Sequence, residues 1–109
     1  MITQDQLKDV LERTDKLRHY LKIDEKKIEF EEEDLRTQAP DFWEDQKRAE
    51  AQMKKVKAIK KWIDGYNDVR AAADELQLAF DFYKEEMVTE EEVDADYQRA
   101  ISLIEDLEL

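Results

Sequence analysis

Apolar and small residues recur at every third or fourth position over one long stretch of the chain, residues 44–87. Steps of three and four place side chains on one side of a helix, whereas a strand would need steps of two. The pattern therefore predicts a single helix, roughly 65 Å long at about 1.5 Å per residue. The predicted buried stripe consists of Ala49, Met53, Val56, Ile59, Ile63, Tyr66, Val69, Ala73, Leu76, Phe80, Tyr83 and Met87.

The chain before this stretch predicts an arm of two helices. The first spans about 3–21, with Thr3 and Gln6 spaced as in a capping box. The second spans about 24–37, with Asp24 placed to cap its first turn. The pattern leaves open whether these are separate helices or one helix that kinks near Asp24. The predicted buried positions are Leu7, Val10, Thr14, Leu17 and Leu21 in the first and Ile28, Phe30 and Leu35 in the second.

A short turn joins this arm to the long helix. Pro40 disfavours helix at the residue before it, so the arm ends there. Asp41, with Glu44 three residues later, predicts the cap of a long helix over about 42–87. A short connection between long helices implies an antiparallel hairpin. Gly65 weakens the long helix and leaves a bend or break there open, but the periodicity continues on both sides, so we predict one helix.

A fourth helix is predicted over about 90–108. Thr89 and Glu92 form a second capping box ahead of it, and acidic residues crowd its first turn, where they favour the helix dipole. Together the helices predict one all-α domain over 1–109, an elongated bundle or antiparallel coiled-coil hairpin with one long central helix. The predicted seam of the last helix is Val93, Tyr97, Ile101, Ile104 and Leu107.

The composition agrees with a helical architecture. The chain of 109 residues contains one Gly and one Pro, so it lacks the turn residues that a sheet with hairpins needs. Charged residues make up 44% of it, which also raises the alternative of disorder. The sustained periodicity, the caps and the aromatic residues argue against disorder.

Charge is unevenly distributed along the chain. The net charge of −12 argues against direct binding to DNA, to RNA in general or to an anionic membrane. The first half of the long helix is nonetheless basic, and Lys54, Lys57 and Lys61 on it are candidate residues for contact with a partner. In a hairpin the acidic run 29–34 would lie alongside this basic stretch. Intramolecular charge pairing is therefore the competing interpretation, and the one that we favour.

Aromatic residues are predicted to lie mainly in the core. Phe82 departs from the main seam, so it either packs on the last helix or is exposed to a partner, and it completes the candidate interaction surface. The aromatic residues expected in the core are Phe42, Trp43, Trp62, Tyr66, Phe80 and Tyr83.

Residues suited to catalysis or metal binding are scarce. There is no Cys, and the only His, His19, and the only Ser, Ser102, lie in different predicted helices. The acidic cluster at 90–96 lacks the spacing and the central Gly of a calcium loop. We therefore expect no enzyme activity, no metal and no cofactor. We also expect no signal peptide and no membrane-spanning segment, which makes a cytoplasmic protein the default.

Three segments within residues 9–49 resemble a known family. They read Asp9-x-x-Glu12-Arg13-Thr14-Asp15-x-Leu17-Arg18-x-Tyr20-Leu21, then Asp24-x-Lys26-Lys27, then Pro40-Asp41-Phe42-Trp43 with Arg48-Ala49 just beyond. In this order and at nearly this separation they are similar to the N-terminal helical domain of bacterial peptide chain release factor 2. The Pro-Asp-x-Trp turn favours release factor 2 over release factor 1. Beyond residue 49 the resemblance rests on helix lengths, the acidic region at Thr89 and periodicity.

The resemblance implies a part in translation termination at UGA and UAA codons. In that family the helical domain contacts the stalk base of the bacterial ribosome and packs against the remaining domains of the factor. Ribosomal protein and those domains are therefore the expected partners. The family's Gly-Gly-Gln and Ser-Pro-Phe motifs are absent, because Gly65 is the only Gly and Leu103 follows Ser102. The chain would thus be a first domain alone, either a fragment or a truncated product, and not catalytic by itself.

Two other functions are compatible with the same predicted helices. A stand-alone acidic coiled-coil adaptor or interaction module would self-associate, whereas a detached release-factor domain would be largely monomeric. A truncated factor domain that occupies the stalk base and blocks intact factors would make the same contacts as those factors.

Overall fold

The computed structural model describes all 109 residues and forms an all-α rod with extents of 60 × 25 × 18 Å. Helix α1 spans Gln4–Tyr20, α2 Ile23–Arg36, α3 Gln46–Lys84 and α4 Glu90–Glu108, and a 3-10 helix at Phe42–Glu44 precedes α3. Capping boxes begin both α1 and α4, as their sequences predict. The predicted fold class, with one long central helix, is confirmed.

Two polar contacts show that α3 and α4 are antiparallel. Arg99 Nη1 of α4 donates to Glu75 Oε2 at 2.9 Å, and Tyr83 Oη donates to Glu90 Oε1 at 2.8 Å. Residue numbers therefore fall along α3 as they rise along α4, which follows from the short connection between the two helices.

α1 lies alongside both helices and runs parallel to α4. The amine of Met1 is 3.1 Å from Asp94 Oδ2, and Arg13 Nη2 is 2.7 Å from Glu108 Oε1. α1 is therefore antiparallel to α3, and each of the three helices packs on the other two.

We refer to α1, α4 and residues 66–84 of α3 as the three-helix base, and this base holds the main core. Val10, Leu76 and Ile104, one from each helix, have no exposed area (0%). Apolar stripes that recur every three or four residues on all three helices meet here, so each helix shields the others from water. The buried core cluster consists of Leu7, Val10, Leu17, Ile23, Tyr66, Val69, Ala72, Ala73, Leu76, Ala79, Phe80, Val93, Ala100 and Ile104.

We refer to α2 and residues 46–63 of α3 as the two-helix arm. Lys26 Nζ lies 5.9 Å from the centroid of the Trp62 ring, and Lys55 Nζ lies 3.2 Å from Glu33 Oε1. These pairs show that α2 and α3 form the predicted antiparallel hairpin.

α1 and α2 are two separate helices, which settles the alternative that the sequence leaves open. Lys22 adopts a left-handed conformation, with φ of 53°, and this residue ends α1 and precedes α2. The prediction that Asp24 caps α2 is wrong. Its carboxylate instead accepts from Arg18 Nη2 at 2.9 Å and from Nε at 3.1 Å, which ties α2 to the last turn of α1.

α3 begins later than predicted, because the residues after the turn form a 3-10 helix first. Its N-cap is Asp45, whose Oδ1 accepts from the amide of Arg48 at 3.2 Å. The prediction that Asp41 caps the long helix is therefore wrong, since its side chain makes no capping hydrogen bond.

α3 also ends before the predicted position 87. Glu86 is left-handed, with φ of 61°, and the amide of Met87 donates to the carbonyl of Phe82 at 3.0 Å. With the bond from the Glu86 amide to the Tyr83 carbonyl, this is the Schellman arrangement that satisfies the last carbonyls of a helix.

Gly65 lies inside α3 without breaking it, which confirms the prediction of one helix. A Cβ atom at this position would lie 3.2 Å from Leu107 Cδ1 of α4. The missing side chain thus lets the end of α4 approach the α3 backbone closely.

Candidate interaction surface

The arm buries little apolar surface on the α2 side. Only Ile23 of α2 is buried, while Ile28 and Leu35 are 60% and 66% exposed. The predicted burial of these two residues is wrong, because α2 faces α3 with the side that carries Ile23, Lys26, Phe30 and Glu33. In the arm, α3 contributes the buried residues Ala49, Val56, Ile59 and Ile63.

Glu33 is the one residue of the acidic run 29–34 that pairs with the basic stretch of α3. Its carboxylate accepts from Gln52 Nε2 at 2.8 Å and from Lys55 Nζ at 3.2 Å, and the Gln52 amide also donates to the Glu33 carbonyl. The predicted pairing of the two charge runs is confirmed at this position alone. The hydrogen bond from Gln52 and then that from Lys55 lower the pKa of the Glu33 carboxyl below its ordinary value.

Lys54, Lys57 and Lys61 form an exposed line along α3, which we call the lysine stripe. None of the three forms an ion pair, whereas the neighbouring Lys55 and Lys60 each pair with a carboxylate. The stripe therefore consists of three lysines without an ion-pair partner inside the molecule.

The lysine stripe borders an open cleft of about 910 Å³ between α3 and the end of α4, which we call the Trp62 cleft. Lys57 and Lys61 line the end of the cleft nearer the arm, and Asp68 and Asp106 line the other end. The cleft thus has positive charge at one end and negative charge at the other. Its hydrophobic lining residues are Ala58, Trp62, Leu103 and Leu107.

Two predicted core aromatics are exposed instead. Trp62 is 42% exposed, with Lys26 over its ring, and Trp43 is 65% exposed. Trp43 lies in the 3-10 helix, where it contacts Phe42 edge to face at a centroid distance of 5.0 Å, and no helix passes over this turn. The prediction of core positions is wrong for these two residues. It is confirmed for Tyr66 and Phe80, while Phe42 and Tyr83 are half-buried.

Phe82 does not join the lysine stripe. It is 37% exposed on the three-helix base, beside the 53% exposed Leu78 one turn earlier. Phe82 follows Lys61 by 21 residues, which separates them by roughly 30 Å along the helix axis. The candidate residues therefore lie in two separate regions of the surface. One is the lysine stripe with the Trp62 cleft, and the other is the exposed Phe82.

Sequence reasoning missed the part of the cleft that α4 supplies. The position of Trp62, next to Ile63 of the seam but outside the three-and-four pattern, was a signal that its side chain lies off the buried stripe. Leu103 and Asp106 had no such signal. They reach the cleft from α4, so the pattern of α3 alone does not place them there.

The structure gives no sign of a metal or membrane site. No group of three or more His, Asp or Glu side chains is placed to hold a metal ion. No helix combines the length and the apolar character that crossing a membrane requires. His19 and Ser102 are exposed on different helices. No protein-family model matches the chain.

Proposed function

We propose that this chain is the N-terminal domain of a class I peptide chain release factor 2, which contacts the ribosome during translation termination at UGA and UAA codons. The observation that carries the proposal is the run of three segments within residues 9–49 that resembles this family. The domain acts in the cytoplasm, where translation takes place. It is not catalytic by itself, because this sequence contains neither the stop-codon-reading segment nor the Gly-Gly-Gln segment.

The places that the matched residues occupy support the proposal. Arg13 and Arg18 bind Glu108 and Asp24 through paired hydrogen bonds, and Asp15 accepts from Arg70 Nη2 at 2.6 Å. These contacts tie α1 to α4, α2 and α3 in turn. The resemblance therefore covers residues that connect α1 to each of the other three long helices.

Other matched residues are free to make contacts. Tyr20 is 83% exposed and Trp43 is 65% exposed, and neither ring lies in the core. An exposed Trp is well suited to anchor a protein interface. With the lysine stripe, Trp43 in the turn of the hairpin makes the arm and its turn the part of the domain that we propose to meet the stalk base.

The charge of the chain favours ribosomal protein over bare RNA as the direct contact. A net charge of −12 repels phosphate, and the unpaired lysines of the stripe are a small patch of positive charge on an acidic molecule. The remaining domains of the factor are the second proposed partner, and Phe82 on the base is the candidate contact for them.

The exposed apolar residues of α2 favour one alternative, an acidic coiled-coil adaptor. Ile28 and Leu35 would then lie in the interface of a dimer. Analytical ultracentrifugation separates the two functions, because the adaptor requires a stable dimer and the release-factor domain a monomer.

Co-sedimentation with purified bacterial ribosomes tests the proposal, with full-length release factor 2 as the competitor. We expect weak, saturable binding that the intact factor displaces, because a detached domain has lost the contacts of its neighbours. Trp43→Ala should weaken binding, and Met87→Ala, which alters a similarly exposed residue in the turn between α3 and α4, should not. Absence of saturable binding, or binding that the intact factor does not displace, would contradict the proposal.

A further inference from the structure

We infer that the Trp62 cleft binds one amphipathic helix of a partner protein, with acidic residues at one end of that helix and basic residues at the other. The inference deepens the proposed function and rests on it for one point, that this side of the arm faces a protein. The chemistry of the partner follows from the cleft itself.

The position of the cleft indicates a helix as the occupant. α4 covers α3 from Tyr83 down to Gly65 and then ends, and the cleft begins at this end. From Lys57 to Asp68 it follows α3 for roughly 16 Å, the length of about three helical turns. A second helix placed here would continue the α3–α4 packing toward the arm, in the way that amphipathic helices occupy grooves on other helices.

The lining of the cleft suits the apolar face of such a helix. Trp62 presents a large ring that is 42% exposed, and Leu107 lies across from it on α4. Ala58 is small, so a partner helix has room to approach α3 beside the Trp62 ring. Trp is among the residues most enriched in the hot spots of protein interfaces.

The charges of the cleft select the partner. Lys57 and Lys61 form no ion pair, and neither do Asp68 and Asp106, so four unneutralised charges lie in two opposite groups. A nucleic acid or a uniformly acidic helix would bring negative charge to the two aspartates. A helix with acids at its first turn and bases at its last turn matches both ends, and this is the distribution that the helix dipole favours. Its N-terminus would lie at the lysines, parallel to α3.

A synthetic peptide provides the probe for this inference. Its 14 residues carry Leu at three-and-four spacing, Glu in the first turns and Lys in the last, and the matched control peptide has the same Leu positions with Glu and Lys intermixed. The full chain carries Trp43→Phe, so Trp62 is its only Trp. We expect the Trp62 fluorescence to shift to shorter wavelength and saturate below about 1 mM peptide, with at least about tenfold weaker binding of the control peptide.

Charge-reversal variants test the assignment of the two ends. Lys57→Glu with Lys61→Glu, and separately Asp68→Lys with Asp106→Lys, should each weaken peptide binding about tenfold. All four changes together should restore binding to within about threefold, because the peptide then fits in the opposite direction.

A matched pair of changes controls for charge alone. Lys16→Glu with Lys47→Glu alters two lysines outside the cleft that form no ion pair, and it should leave peptide binding unchanged.

Equal binding of the two peptides, or a fourfold variant that binds as weakly as the double variants, would overturn the inference. A chain that binds the peptide but not the ribosome would contradict the proposed function alone. A chain that binds the ribosome but not the peptide would contradict the inference alone.

Discussion

The three-helix base and the two-helix arm share α3 but differ in how much apolar surface they bury. In the base, α3 has α1 and α4 as neighbours, and Leu76 is fully buried. In the arm its one helical neighbour is α2, which leaves Ile28 and Leu35 exposed to solvent. Because apolar burial is the main stabilising contribution, we expect the base to carry most of the stability of the domain. The arm is then free to present contact residues.

The exposed Trp residues follow the same division. Trp62 lies on the arm, which also carries the lysine stripe, and Trp43 lies in the turn that joins the two helices of the arm. The aromatic residues Tyr66 and Phe80 are buried in the base. A region with few buried contacts opens more readily than a packed core, and binding surfaces are commonly found in such regions. Under the proposed function, the base is therefore the scaffold and the arm the contact surface for the ribosome.

The largest expected difference comes from truncating one core residue in each region. Leu76→Ala in the base should lower the free energy of unfolding by about 3 kcal/mol, because it leaves a cavity enclosed by three helices. Ile59→Ala in the arm should cost about half as much, since the arm has a single helix pair that can close around the gap. Urea denaturation followed by circular dichroism measures both, and equal losses would contradict the division.

A glycine at the junction between the two regions should stabilise the chain. Lys22→Gly removes the strain of a left-handed non-glycine residue, which we expect to raise the free energy of unfolding by about 1 kcal/mol. Glu86→Gly is the matched change at the end of α3 in the base, with a similar gain. A loss of stability in thermal denaturation of Lys22→Gly would show that the Lys22 side chain has a stabilising role that the backbone geometry does not reveal.

A smaller gain is expected from Gly65→Ala, between the base and the arm. Alanine favours a helix by up to about 1 kcal/mol over glycine, while the new Cβ atom would press on Leu107 Cδ1 at 3.2 Å. Because Leu107 is half-buried near the end of α4, its side chain can move by a few tenths of an ångström. We expect a net gain of about 0.5 kcal/mol in urea denaturation. A clear loss would mean that the end of α4 is held rigidly.

The smallest effect concerns the pH dependence of the arm. The Glu33 carboxyl has a folded pKa below its ordinary value of 4.5, so its contacts with Gln52 and Lys55 stabilise the arm fully above pH 4.5. This contribution is lost as the pH falls below 4.5 and through the folded pKa. Glu33→Gln should therefore be less stable than the parent chain at pH 7 and equal to it in strong acid. Urea titrations at both pH values, followed by Trp62 fluorescence in a Trp43→Phe background, test this, and a difference that persists in acid would contradict it.

The sequence predicts the base better than the arm, and the reason is physical. In the base, each helix packs on two others, so predicted residues such as Val10, Leu76 and Ile104 are enclosed from more than one side. In the arm, burial depends on the rotation of α2 against α3. Ile28 and Leu35 satisfy a helical spacing, yet the face of α2 with Glu33 is the one turned inward.

Local chemistry explains which helix ends were predictable. Thr3 and Thr89 cap their helices because each has its partner side chain three residues later, entirely within one turn. Asp24 has the same capping potential, but Arg18 binds its carboxylate instead. Asp41 fails because the 3-10 helix delays α3 until Asp45. The candidate site shows the same contrast. The lysine stripe lies on one helix and could be predicted from the sequence, whereas the Trp62 cleft needs residues of two helices and could not.

Native-state hydrogen exchange along α3 tests the central claim most directly, because one continuous helix passes through both regions. We expect amides at 66–80 to exchange only through global unfolding, and amides at 50–60, together with those of α2, through an opening of lower free energy. Lower protection in the arm than in the base would support the division into scaffold and contact surface. Equal free energies of opening along the whole of α3 would contradict it.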